Sequence, residues 1–95
     1  MSQTQPSWTI YPSALNNYKE KYEKLPKQIR ILISIFIHQL AYERDPEDFP
    51  DIFACHDEDA CSFIIGHNRI IFRPERIDQG AQVLRVLHII DIIID

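Results

Sequence analysis

Gly66-His67-Asn68-Arg69-Ile70-Ile71-Phe72-Arg73-Pro74-Glu75 and Gln82-Val83-Leu84-Arg85-Val86-Leu87-His88-Ile89-Ile90-Asp91 decide the fold of this 95-residue chain. Both stretches are dense in β-branched residues, and Asp78-Gln79-Gly80 between them has turn composition, so they predict two neighbouring strands. Strand side chains alternate between faces, which puts Ile70 and Phe72 on one side and Arg69, Ile71 and Arg73 on the other. The apolar side is a core face. The guanidinium side is the candidate working surface.

Upstream, Cys61-Ser62-Phe63-Ile64-Ile65 predicts a further strand, turned into the next by Gly66-His67-Asn68. Asp45 to Asp59 is acidic, carries Pro46 and Pro50, and has the composition of an exposed connector, tacked to the core by Phe49, Ile52 and Phe53. Before it, a second helix is predicted with Pro26 in its first turn, running through Gln39 or Tyr42 until Asp45-Pro46 stops it. Ile29, Leu32, Ile33, Phe36 and Leu40 form its main apolar stripe, and Ile31, Ile35 and Ile37 widen it. A helix apolar over so much of its circumference needs cover on two sides. One cover is the sheet; the other is the preceding helix, a partner chain or a second copy of this protein. The preceding helix is predicted from a Ser13 cap, with Leu15, Tyr18, Tyr22 and Leu25 on one stripe. Trp8 to Tyr11, stopped by Pro12, predicts the first strand, and residues 1–7 are polar and expected to be loose.

These elements give an α+β chain: a strand, a two-helix hairpin, then three antiparallel strands, all in one sheet packed on the helices. At this length the whole of 1–95 is one domain. Apolar residues make up 45% and charged residues 25%, an ordinary globular composition. The longest apolar run, Ile31 to Ile37, is far too short to span a membrane, and no signal-like leader is evident, so the cytoplasm is the expected compartment. The net charge of −4 is strongly segregated. Residues 1–40 hold five Lys/Arg against two acids, residues 41–59 hold eight acids against Arg44, and four arginines balance four acids in the remainder. No overall basic field draws the chain to nucleic acid, so a polyanion would have to meet a local patch.

Gly66-x-x-Arg69, Arg73-Pro74 and Val83-Leu84-Arg85-Val86-Leu87-His88 with Asp91 resemble the toxins of the RelE/ParE superfamily, most closely its ParE-like branch. The element order is similar too. The resemblance implies the toxin of a bacterial toxin–antitoxin pair, held in check by a cognate antitoxin and inhibiting a target such as DNA gyrase by binding it. It implies a partner surface of Arg69, Arg73 and Arg85. The uncovered isoleucines Ile31, Ile35, Ile92, Ile93 and Ile94 would lie against the antitoxin or a second copy, the last three because they run past the expected end of the sheet near Ile90. Arg73 and Arg85 can equally be surface partners of Glu75 or Asp91, which would leave them structural.

The alternative is a RelE-type ribosome-dependent mRNA endonuclease. Phosphodiester transfer needs a proton acceptor, a proton donor and cations where charge develops. Arg69, Arg85 and His88 are the catalytic candidates, but only Arg69 falls on a position matching the RNA-cleaving members. Ser62 to Ile65 contains no lysine, and Ile89 to Asp95 supplies no Tyr, Arg or His. These departures favour binding over catalysis; an inactive interaction module on the same scaffold is the third reading. His88, between Leu87 and Ile89, is either an acid–base group or a hydrogen-bonded structural residue. Cys55 to Cys61 contains zinc-ligand types in no zinc-module spacing, so no metal and no cofactor is expected, and both thiols are expected to stay reduced.

Overall fold

The computed structural model describes residues 6–12, 18–54 and 60–94. β1 is Thr9–Pro12, β2 Phe53–Ala54, β3 Cys61–Ile65, β4 Asn68–Asp78 and β5 Val83–Ile94, in the sheet order β1-β5-β4-β3-β2. The last strand is thus internal, antiparallel to β4 and parallel to β1. The α+β reading holds, with the two-residue edge strand β2 as an addition that the sequence did not suggest. β3 turns into β4 through Gly66 and His67, and Gly66 has φ +62°, a left-handed conformation that suits glycine. At the other end, Asp78 accepts a 3.0 Å hydrogen bond from the Gly80 amide, closing the loop into β5.

β4 runs from Asn68 to Asp78, past the end of the stretch that predicted it, and β5 continues to Ile94. The expectation that residues 92–94 overrun the sheet is therefore wrong. Phe72 stands opposite Ile89 while Ile71 stands opposite Asp91, so Ile90 is an extra residue, a bulge in β5. Its consequence is a change of phase. Unbroken alternation from Leu87 and Ile89 would have turned Asp91 toward the helices; with the bulge, Ile92 faces them instead, and it is fully buried opposite Ile70. Ile93 takes the outward position and is 41% exposed.

α2, Lys27–Tyr42, follows Pro26 as its N-cap and reaches the later of its two expected ends, and α1 is Tyr18–Glu23. The proposed Ser13 cap and Leu15 lie outside the described residues, as does the expectation of a loose chain at 1–5. Ile33, Ile37, Leu40 and Ala41 bury one side of α2 against Phe63, Phe72, Ile70 and Leu87. Phe36 stacks on Phe63 at 4.2 Å between ring centroids and meets Phe49 edge-on at 5.6 Å, which fixes the acidic connector to the core. Phe53, expected in the same role, sits on the edge strand and is 56% exposed.

α1 packs on β5 rather than along the outer side of α2. Tyr22 bridges the two helices through a 2.7 Å hydrogen bond with Ser34, and Lys21 donates to Asp91 Oδ1 at 3.0 Å and to the Ile92 carbonyl at 3.1 Å. β1 ends opposite Ile89, so Lys21 satisfies a carbonyl on the unpaired edge of β5. Six residues cannot also cover the far side of α2. Ile31, Leu32, Ile35 and Tyr42 remain about half exposed, so the helical hairpin does not supply the second cover. No helix among the described residues is long and apolar enough to cross a membrane.

Candidate functional site

The helices cover one face of the sheet, and the other is open. Ile70 and Phe72 are fully buried while Arg69 and Arg73 are exposed, as the alternation of β4 requires. Two rows of side chains cross this open face. In the first, Ile64 of β3, Arg69 of β4 and Ile93 of β5 stand side by side, with both isoleucines more than 40% exposed. In the second, Arg73 of β4, His88 of β5 and Tyr11 of β1 are in register. The rows lie about 13 Å apart, four residues at roughly 3.3 Å each.

His88 is the organising residue of the second row. Its Nε2 lies 2.7 Å from Glu75 Oε1, diagonally across the β4–β5 pair, and the Tyr11 ring meets its own ring edge-on at 5.9 Å. The half-buried imidazole is held by a carboxylate on one side and an aromatic edge on the other, beside a guanidinium. Glu75 is thereby engaged by His88 and Asp91 by Lys21. Among the described residues, Arg69 and Arg73 form no ion pair, so the reading of Arg73 as a surface partner of Glu75 or Asp91 is not realised.

Arg85 does not join them. It stands opposite Arg76, seven positions along β4 from Arg69, and an odd separation puts it on the helix-covered face. The expected common surface of Arg69, Arg73 and Arg85 is therefore corrected to Arg69 and Arg73, without Arg85. Arg76, which the sequence did not single out, is a structural cation. It lies 4.7 Å over the ring of buried Trp8 and donates to Glu47 at 2.9 Å and to Asp45 at 3.2 Å. The hydrogen bond from Arg76 holds the Glu47 carboxyl below its usual range, and the same contact raises Arg76.

Of the remaining candidates, Ile92 belongs to the core, Ile93 to the open face, and Ile31 and Ile35 to the outer side of α2. The side chain of Ile94 and residues 55–59, including Cys55, lie outside the description. Cys61 is buried, and the described residues contain no cluster able to hold a metal ion. Sequence reasoning missed Tyr11, and it gave Glu75 an arginine partner where the structure pairs it with His88. Glu75 was accessible, since it continues the period-two series from Arg69 and Arg73; Tyr11 depended on a parallel register that no local pattern encodes.

Sheet order, the two helices on one face and the open arginine-bearing face on the other make this a RelE-like α+β fold. A chain of the toxin–antitoxin complex RelBE2 from Mycobacterium tuberculosis has a similar structure: TM-score 0.58 at 18% identity, over 96% of this chain and 100% of the other. At that identity the likeness is one of fold. No family model and no curated protein matches the sequence.

Proposed function

We propose that this chain is the toxin of a toxin–antitoxin pair, acting in the ParE-like manner by binding and inhibiting a protein target such as DNA gyrase, and neutralised by a cognate antitoxin. The shared fold and the superfamily-like strands from Gly66 to Asp91 support the toxin role. The row Ile64–Arg69–Ile93 carries the choice of a protein target. A lone guanidinium between exposed isoleucines suits a carboxylate set among apolar side chains, because interface cores combine apolar area with arginine anchors. A phosphate backbone calls for a stripe of cations, and the chain's charge of −4 supplies no general attraction to one.

A second reading, RelE-type cleavage of ribosome-bound messenger, is favoured by one observation: the Glu75–His88 pair beside Arg73 and Tyr11 has the proton-transferring and cationic groups that RNA cleavage needs.

Induced expression in a bacterium separates the two. Binding predicts growth arrest with damaged DNA and intact messenger, weakened at least about tenfold by Arg69→Ala, the size expected for an interface anchor, and spared by His88→Gln. Cleaved messenger together with loss of arrest in His88→Gln would replace the first reading by the second. Full arrest in an Arg69→Ala/Arg73→Ala double variant would remove the open face from either activity.

A further inference from the structure

The outer side of α2 is an unsatisfied seam. Ile31, Leu32, Ile35 and Tyr42 are 47%, 49%, 50% and 47% exposed, and their intervals of three, four and seven residues keep them on one side of the helix. Ser34, Ile35, His38, Gln39 and Tyr42 line a shallow groove of about 320 Å³ in its C-terminal half. Ile31 and Leu32 project from its N-terminal half. No Asp, Glu, Lys or Arg interrupts the seam between them.

We propose that this face binds a second copy of the same chain through an antiparallel, two-fold α2–α2 contact centred on Ile35. The observations specify a self-complementary partner. A two-fold axis at Ile35 sets Ile31 and Leu32 of each copy against the groove around His38, Gln39 and Tyr42 of the other, projection into recess, twice over. It also sets opposite charges together. Lys27 and Arg30 lie at the N-terminal end of α2, while Glu43 and Asp48 lie at its C-terminal end beside Arg44; Asp45 is taken up by Arg76 and Lys24 by Glu20. A parallel pair would oppose like with like; the antiparallel pair brings basic end to acidic end and aligns the helix dipoles favourably. The contact leaves the open sheet face free, so self-association and target binding use opposite sides of the molecule.

Sedimentation velocity on the intact chain, across a micromolar concentration series, tests this. The wild type is expected to dimerise reversibly. Ile35→Glu and Ile35→Lys, each at a half-exposed position, are expected to be monomeric with unchanged helix content, and to melt like the wild type at concentrations where the wild type is itself monomeric. Because the axis sets Ile35 against its own copy, mixing these two variants is expected to restore the dimer as a Glu–Lys heterodimer, at least about tenfold tighter than either variant alone. A wild type that stays monomeric throughout the series, a dimer indifferent to Ile35→Glu, or a mixture no tighter than its components would each overturn the proposal. An antitoxin-derived helix that binds this seam on a monomeric wild type would do so too, and would assign the face to that partner.

Discussion

The guanidinium of Arg76 is committed on three sides, to Trp8, Glu47 and Asp45, while those of Arg69 and Arg73 face solvent on the opposite side of the same strand. One residue of offset separates a structural cation from two available ones, because the face changes at every step along β4. The Glu47–Arg76 pair is partly exposed, with side chains 34% and 38% accessible, so its contribution is under about 1 kcal/mol. Its pH dependence has a definite sign. Glu47 is held below its ordinary range in the fold, so the stabilisation is present above the unfolded-state value and is lost as acidification protonates the native carboxyl. Urea midpoints of the wild type and Glu47→Gln are expected to differ slightly at neutral pH and to converge below the normal glutamate range. A gap that widened on acidification would contradict this assignment.

β5 shows what an element adds to its residues. Val83 to Ile94 is apolar nearly throughout, as expected of an internal strand, and its composition alone gives no phase. The bulge at Ile90 sets the phase, and with it the fates of two adjacent isoleucines: Ile92 is sealed against Ile70, and Ile93 joins Arg69 on the open face. Truncating each to alanine is expected to separate them sharply in chemical denaturation. Ile92→Ala should cost about 2–5 kcal/mol, the usual range for emptying a buried isoleucine site, and Ile93→Ala under about 1 kcal/mol. Equal costs would mean that the register inferred at the bulge is wrong.

At the scale of the molecule, one sheet separates two surfaces, the arginine-bearing face and the outer side of α2, with a single core between. α1 closes that core over β5, burying Tyr18. Burial, with a smaller contribution from the charge of Tyr22, pushes the Tyr18 phenol up to about 12. The fold thus prefers the neutral phenol. Its stabilisation is full below the ordinary tyrosine value near 10 and falls as pH rises from there toward 12. Tyr18→Phe cannot ionise and is expected to lose less melting temperature over that interval than the wild type. Parallel alkaline losses in the two proteins would place α1 off the core.

The sequence by itself determined the order of the elements other than β2, the helical character of α2, the identity of β3, β4 and β5, and the exposure of Arg69 and Arg73. All of these follow from local periodicity and turn chemistry, which act over a few residues. Only the tertiary structure decided that Arg85 turns to the helices, that Tyr11 meets His88, that Ile92 is core, and that α1 leaves Ile31 and Ile35 bare. Each depends on how distant segments align: the parallel β1–β5 register, the bulge at Ile90, and the packing of a six-residue α1 onto β5 instead of α2. Pairing between segments as far apart as Tyr11 and His88 is set by the closure of the whole core, and no stretch of neighbouring residues records it.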